Sequence, residues 1–181
     1  MPNRLNFLTI VPMFHCNGWC YPWTIPMLNG RTVCLRNIDV KKIFELIEKY
    51  NVTHFGGAPI ILNMITGAPE ADRKKLKNKV YVLTAGAPPP SIIFKKMKDL
   101  GFEVMHVYGL TETYGHVTQC AWNDEWNSFD EDRQNEIKAR QGVRYPNTEG
   151  VTVMDPETMK EVPHDGKTIG EIMIRGNVVM K

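Results

Sequence analysis

The sequence has almost no excess of charge and none of the long apolar runs that cross a membrane. Its 22 basic and 20 acidic side chains leave a formal net charge of +2 over 181 residues. This near balance gives no support to nucleic acid or an anionic membrane surface as the main partner. No apolar stretch approaches the roughly 18 to 20 residues of a transmembrane helix. We therefore expect no nucleic-acid partner and no transmembrane segment.

Cysteine is also scarce, and the cysteines are not paired in sequence. None of them forms a C-x-x-C motif: Cys16, Cys20, Cys34 and Cys120. So few cysteines do not make a disulfide framework, and residues 1–4 lack the order of a secretory signal, so we expect reduced thiols and a cytoplasmic protein. His15, Cys16 and Cys20 could be imagined as a zinc cluster. Because no second ligand pair follows, apolar packing is the favoured interpretation.

What the chain does contain is an alternation of apolar β-rich runs and amphipathic helices. Strands are predicted over residues 5–11, 31–36, 52–55, 79–84 and 102–107. Between them, helices are predicted from Asp39 to about residue 50, over 60–66 and over 91–100. Strand, helix and strand at this spacing predict an α/β fold, in which a parallel βαβ sheet with right-handed crossovers is flanked by helices.

The character of the chain changes after residue 122. Residues 123–140 are charged, with a helix predicted over 131–139, and two alternating β segments follow at 150–155 and 169–175. The turn-rich link between those segments predicts a hairpin or meander and hence a small β-rich subdomain. We therefore divide the chain into an α/β subdomain (1–120), a charged helical connection (121–147) and a β-rich subdomain (148–181).

The strongest local candidate for a site is the stretch from Tyr108 to Glu112, Tyr-Gly-Leu-Thr-Glu, with Thr113 and Tyr114 following. It comes directly after a predicted strand, and ligands of open α/β sheets bind at the carboxyl ends of strands. An aromatic ring, a hydroxyl and a carboxylate in this order suit a flat ring at Tyr108 and a metal-bound phosphate at Thr111 and Glu112. Taken alone, the motif is short enough to occur in many loops.

Two further predicted strands end in loops of small residues, 56–59 (Gly-Gly-Ala-Pro) and 85–88 (Ala-Gly-Ala-Pro). Small residues let the backbone approach a ligand closely, although a tight turn also favours glycine. In a parallel sheet both loops would lie beside the Tyr108 loop. The aromatic-rich segment 13–23 has two equally supported interpretations: a core segment under a loop, or the wall of an apolar pocket with His15 and Asn17 as its polar groups.

Five blocks now stand in a definite order along nearly the whole chain: Pro12-Met13-Phe14-His15, Gly56-Gly57-Ala58-Pro59, Thr84-Ala85-Gly86-Ala87-Pro88, Tyr108-Gly109-Leu110-Thr111-Glu112 and Gly170-Glu171-Ile172-Met173-Ile174-Arg175-Gly176. This order resembles that of the adenylate-forming superfamily, which includes acyl-CoA synthetases, acid–CoA ligases and luciferase-like enzymes. Segments 14–19 and 138–143 look most like the acyl-CoA synthetases of short- or medium-chain acids, including the group acting on methylthio-propanoate.

The resemblance implies a ligase that uses ATP, Mg²⁺ and CoA. A carboxylic acid would attack the α-phosphate of ATP to give acyl-AMP and pyrophosphate, and the CoA thiol would then displace AMP. By motif, Gly86, Ala87 and Pro88 would border adenine. Tyr108 would stack on the adenine ring, and the next two residues, Gly109 and Leu110, would also belong to the nucleotide-binding site. Thr111 would bind phosphate, and Glu112 would help to hold Mg²⁺. The acyl side would be lined by these residues: His15, Trp19, Gly57, Tyr114, Gly115 and His116.

The family's other elements are missing from these residues. A phosphate loop would precede residue 5, while a T-G-D block and a small domain with a catalytic lysine would follow residue 181. The resemblance therefore implies the central fragment of a large N-terminal domain, inactive by itself. Two alternatives stay open: a non-catalytic nucleotide- or ligand-binding module, and an acyl-adenylating enzyme that loads a carrier protein. A homo-oligomer is also compatible with the sequence.

Overall fold

The computed structural model describes residues 4–180. Residues 1–3 and 181, where the first predicted subdomain begins and the last one ends, lie outside the described residues. Within the described range, one sheet has the strand order β2-β1-β3-β4-β5-β6-β7. Its strands are β1 (Asn6–Thr9), β2 (Arg31–Cys34), β3 (His54–Gly56), β4 (Val80–Thr84), β5 (Phe102–Leu110), β6 (Gly115–Gln119) and β7 (Val143–Arg144).

The sheet is parallel from β2 to β5 and antiparallel from β5 to β7. This arrangement confirms the predicted α/β class with its parallel βαβ core. The predicted end of the central strand at Val107 is wrong, because β5 continues to Leu110. It continues because Tyr108 to Leu110 pair with β6, which turns back directly after the Thr-Glu-Thr turn. The strand β6 is not among the strands predicted from the sequence.

Within the described residues, four α-helices lie close to their predicted positions, and two short α-helices early in the chain are additional. Their bounds are α1 (Cys16–Trp19), α2 (Tyr21–Met27), α3 (Val40–Tyr50), α4 (Pro59–Gly67), α5 (Ser91–Asp99) and α6 (Glu131–Lys138). Asp39 caps α3, since its Oδ1 accepts a hydrogen bond from the backbone N–H of Lys42 at 3.0 Å. None of the helices in residues 4–180 is long and apolar enough to cross a membrane.

One apolar cluster joins the sheet to three helices. Ile43 of α3, Leu62 of α4 and Met97 of α5 are all fully buried, and they pack with Phe55 and Phe102 from the strands. Burying side chains of this size contributes roughly 1.5–3 kcal/mol each. Because the parallel strands all run the same way beneath these helices, their carboxyl ends meet at one edge of the sheet.

The last part of the described chain is an antiparallel hairpin, β8 (Gly150–Met154) and β9 (Glu171–Arg175). It confirms the predicted β-rich segments. In the link between them the Asp165 carboxylate accepts backbone N–H groups of Lys167 and Thr168, each at 2.8 Å. Hydrogen bonding to the backbone of Thr168 is the main cause that lowers the pKa of Asp165 to about 2. This aspartate therefore holds a turn.

Candidate ligand-binding and active site

The ends of three parallel strands and the β5–β6 hairpin surround a cavity of about 510 Å³. Such a volume is typical of small-molecule sites. The loops after β3 and β4 and the motif at the hairpin therefore lie together, as expected for the carboxyl ends of neighbouring parallel strands. The residues that line it are Ile10, Val11, Pro12, His15, Cys16, Trp19, Ile38, Gly57, Ala58, Ile60, Ile61, Ala85, Gly86, Gly109, Leu110, Thr111, Glu112, Gly115 and His116.

The hairpin holds its turn through the buried hydroxyl of Thr113. This hydroxyl accepts the backbone N–H of Leu110 at 2.9 Å and lies within donor distance of the carbonyls of Leu110 and Gly115, at 3.0 and 2.9 Å. Gly109 faces the returning strand so closely that an added Cβ would lie 1.8 Å from the carbonyl oxygen of Gly115. The second threonine of the Thr-Glu-Thr sequence is therefore structural, and the motif glycine allows the two strands to meet.

Thr111 and Glu112 project from this turn at the mouth of the cavity. Both side chains are exposed, whereas the backbone at Glu112 is fixed because its carbonyl accepts the N–H of Met180 at 2.7 Å. In residues 4–180 no three metal-binding side chains lie close enough to form a metal site by themselves. A lone carboxylate is nevertheless compatible with Mg²⁺, which is often held by one or two carboxylates together with substrate phosphates.

The loop after β4 presents backbone and little bulk to the cavity. Gly86 has a φ of +93°, a conformation that suits glycine, and an added Cβ would meet open space. Ala87 and Pro88 are exposed and follow it outside the cavity lining. The loop after β3 is fixed to the end of β4 itself, because the N–H of Gly57 donates to the carbonyl of Leu83 at 2.9 Å.

Two of the predicted aromatic residues lie beside the cavity without lining it. Tyr108 is half-buried on β5 opposite Thr118, where the register of the strand pair shifts. Tyr114 is 48 % exposed, and its hydroxyl accepts a hydrogen bond from Nδ2 of Asn17 at 2.9 Å. Tyr114 therefore connects the hairpin to the aromatic-rich segment, and its contact with a ligand stays a prediction.

The aromatic-rich segment forms a cavity wall, as in the second of its two interpretations, but Asn17, one of the two predicted polar groups, does not line the cavity. Met13 and Phe14 are 55 % and 79 % exposed, so they are not core residues, while His15 and Trp19 line the cavity. Its single turn α1 is left-handed, with positive φ at every residue from Cys16 to Cys20. Left-handed backbone costs roughly 1–2 kcal/mol per residue outside glycine. The surrounding contacts must offset this strain.

His116 lies deep in the cavity wall as a neutral imidazole. Burial lowers its pKa to about 4, and its ring meets Trp19 edge-on with 5.0 Å between the ring centroids. Its Nε2 is buried and has no hydrogen-bond partner among the described residues. A neutral ring here keeps this end of the cavity uncharged at neutral pH.

The lowered pKa of His116 predicts a pH dependence of stability. In the unfolded chain the imidazole binds a proton near its ordinary pKa of 6.5, but in the folded protein it does so only near 4. The free energy of unfolding should therefore fall as the pH drops from 6.5 to 4, by about 3 kcal/mol in total. Chemical denaturation of the complete protein at a series of pH values measures this. A His116→Gln variant should lose this part of the slope and match the wild type in slope above pH 7; an unchanged slope below pH 6.5 would refute the burial effect.

Several lining residues were not identified from the sequence. Ile10 and Val11 follow β1, so the rule that strand ends meet could have placed them at the site. Ile60 and Ile61 directly follow the loop after β3, and the same rule applies to them. Ile38 lies in an irregular connection before α3, where no sequence signal marks it.

The chain is similar to known proteins along its whole length. The family described as AMP-binding enzyme matches residues 1–181. The acetate/butyrate–CoA ligase AAE7, peroxisomal, of Arabidopsis thaliana is 52 % identical over 183 aligned residues, which cover 100 % of this chain and 32 % of that protein. The 2-methylpropanoate–CoA ligase CCL4 of Humulus lupulus is 44 % identical, over 99 % of this chain and 32 % of that protein.

A solved structure shares the fold. The N-terminal domain of FACL13 from Mycobacterium tuberculosis superposes with a TM-score of 0.80 at 25 % identity, covering 100 % of this chain and 43 % of that one. The chain thus spans about a third of the length of the curated relatives it matches. On the match over its whole length and the identity to these ligases, the chain belongs to the AMP-binding enzyme family.

Proposed function

We propose that this chain forms the nucleotide- and acyl-binding centre of an ATP-dependent, AMP-forming acid–CoA ligase. The observation that carries the proposal is the single cavity at which the loops after β3 and β4 meet the turn bearing Thr111 and Glu112. A carboxylic acid would attack the α-phosphate of ATP, releasing pyrophosphate, and the CoA thiol would then release AMP. Because the chain spans a third of its relatives, the proposal concerns the whole protein.

The nucleotide would lie on the side of the cavity formed by the loop after β4 and the hairpin. Gly86, with Ala87 and Pro88 beside it, offers exposed backbone for the edge of adenine. Tyr108 lies next to the cavity and is proposed to stack on the ring, with Gly109 and Leu110 leading to the phosphates. The Thr111 hydroxyl, at the mouth, is free to donate to a phosphate oxygen.

The Glu112 carboxylate would hold Mg²⁺ together with the phosphates of ATP. A bound divalent cation supplies charge neutralisation where negative charge develops on the phosphates. The protein's own contribution is positional: the Thr113 hydroxyl and the Met180 N–H fix the turn from which Glu112 projects. Positioning of this kind is a major part of catalysis in phosphoryl and nucleotidyl transfer.

The acid would occupy the other side, where the lining is mostly apolar. His15, Trp19, Gly57, Gly115 and His116 bound this side, and Tyr114 supports the wall through its hydrogen bond to Asn17. The relatives named above act, by their names, on acetate, butyrate and 2-methylpropanoate. Short, uncharged acyl chains fit the same apolar lining, so we propose short-chain carboxylic acids as substrates.

Acid-dependent exchange of labelled pyrophosphate into ATP tests the proposal in the complete protein. With ATP and Mg²⁺, exchange should depend on a short acid and should need no CoA, because CoA enters only in the second step. CoA should then give an acyl thioester, and replacement of CoA by a carrier protein should not. Acyl transfer to a carrier protein but not to CoA would identify the carrier protein as the acceptor. Nucleotide binding without exchange for any acid would reveal a non-catalytic module.

The location and assembly of the whole protein stay predictions. We propose the cytoplasm, on the basis of cysteines expected to stay reduced; residues 4–180 contain no helix that could cross a membrane. One relative is named as peroxisomal, which makes the peroxisome the alternative. A fluorescent fusion of the complete protein distinguishes the two compartments. Sedimentation would show whether it forms a homo-oligomer.

A further inference from the structure

Trp19, which lines the cavity, packs closely against the backbone of a glycine. A Cβ added to Gly56 would lie 3.0 Å from Cε3 and 3.1 Å from Cζ3 of Trp19. Real Cβ atoms rarely approach another atom so closely. The six-membered ring of the indole thus lies directly against the backbone at the end of β3, and it can do so because residue 56 has no side chain.

A second side of the same indole is in contact with β6. The ring of His116 meets it edge-on, with 5.0 Å between the ring centroids. The turn that carries Trp19 is tied to the hairpin by the hydrogen bond from Asn17 to Tyr114. These contacts hold the indole in the wall of the cavity.

We propose that Trp19 and Gly56 act together as the chain-length filter of the acyl site. The inference rests on the proposed function and deepens it. Trp19 supplies the end wall, and the missing side chain of residue 56 sets how far back that wall stands. Acids of a few carbons would be accepted, and longer unbranched chains would meet the indole. A polar group at the end of the acid would meet the neutral imidazole of His116 there.

The pair predicts shifts in opposite directions. Replacing Trp19 by alanine removes the end wall, so kcat/KM for longer acids should rise relative to kcat/KM for short acids. Gly56→Ala inserts a methyl group behind the indole and should push the indole toward the ligand. As a result, kcat/KM for four-carbon acids should fall relative to kcat/KM for acetate. One methylene in an apolar pocket is worth roughly 10- to 200-fold in discrimination. The ratio of kcat/KM between a longer and a shorter acid should therefore change by about 10-fold or more.

The experiment compares kcat/KM for pyrophosphate exchange with acetate, butyrate, hexanoate and octanoate in the complete protein. We expect the hexanoate-to-acetate ratio to rise at least about 10-fold in Trp19→Ala, and the butyrate-to-acetate ratio to fall in Gly56→Ala. Trp19→Phe, which keeps an aromatic wall of smaller size, should lie between wild type and Trp19→Ala. Trp23→Ala is the matched control, because Trp23 is 54 % exposed and does not line the cavity. Its ratios should equal those of the wild type.

The outcomes distinguish a chain-length filter from a purely structural role of the indole. If both Trp19 variants change all acids in the same proportion, the ring has only a structural role and the filter is wrong. If Gly56→Ala shifts the preference toward longer acids, the added methyl group does not push the indole toward the ligand, and this part of the proposal is wrong. Should Trp19→Ala fail to fold, Trp19→Phe still carries the test. If the wild type shows no exchange with any acid, the proposed function fails and the filter fails with it; activity with unchanged ratios in every variant rejects the filter alone.

Discussion

Gly109→Ala in the complete protein is expected to abolish most of the proposed adenylation activity. The added methyl carbon would lie 1.8 Å from the carbonyl oxygen of Gly115 and 2.8 Å from Cα of His116, both backbone atoms that cannot rotate away. The β5–β6 hairpin must open to admit it, at a cost of about 3 kcal/mol. Opening displaces Thr111 and Glu112, and a misplacement of about 1 Å can reduce a rate about 100-fold.

Two measurements separate these effects. Thermal or chemical denaturation gives the loss of stability, and pyrophosphate exchange at saturating substrates gives the loss of rate. Gly67→Ala is the matched control, since a Cβ there, at the end of α4, meets nothing within 4 Å. Its stability and activity should equal those of the wild type. An active Gly109→Ala protein would show that the hairpin is not as tightly paired as described above.

Glu112→Gln should reduce acyl-adenylate formation at limiting Mg²⁺ by about 100-fold or more. The substitution keeps the size of the side chain and removes its negative charge, and a hard divalent cation binds a carboxylate far better than an amide. Charge stabilisation by a bound metal is worth several kcal/mol, and each 1.4 kcal/mol corresponds to about tenfold in rate. The fold should be unaffected, because this side chain is exposed.

A titration with Mg²⁺ identifies the cause of the Glu112 effect. The concentration of Mg²⁺ that gives half-maximal exchange should rise in Glu112→Gln, and excess Mg²⁺ should recover part of the rate. Glu125→Gln removes an exposed carboxylate outside the cavity and should leave the Mg²⁺ dependence unchanged. Equal Mg²⁺ dependence of wild type and Glu112→Gln would assign Glu112 another role.

Much of the fold follows from local patterns in the sequence. The apolar face of α3 and its Asp39 cap were readable because both depend on residues a few positions apart. The parallel strands were readable from their apolar runs and from the helices between them. Even the meeting of the two small-residue loops with the Tyr108 motif followed from one topological rule, since parallel strands end at the same edge.

The β5–β6 hairpin and the cavity wall could not be predicted from local sequence patterns. β6 has the sequence Gly-His-Val-Thr-Gln, whose only strongly apolar residue is Val117, so its pairing with β5 depends on the turn held by the buried Thr113. The left-handed turn at residues 16–20 is unfavourable for most of its residues and exists through tertiary contacts. Contacts between residues far apart in sequence leave no local pattern.

A similar limit explains the acyl side. Trp19 and Gly56 are 37 positions apart by their numbering, and neither residue type alone indicates a filter. Only the fold brings the indole against the bare backbone of β3 and the neutral ring of His116. In the proposed acyl site, the choice of acid would depend on packing at the end of one strand, whereas the proposed nucleotide motif is one contiguous stretch of sequence.

The most direct test of the account is a crystal structure of the complete protein with a non-reactive acyl-adenylate analogue of butyrate. The account predicts that the butyryl chain lies in the cavity and ends against Trp19. The group replacing the phosphate should lie within hydrogen-bond distance of Thr111, and the adenine should rest beside Gly86 and Tyr108. A bound analogue whose acyl chain lies outside this cavity, or whose phosphate mimic is remote from the Thr111–Glu112 turn, would contradict it.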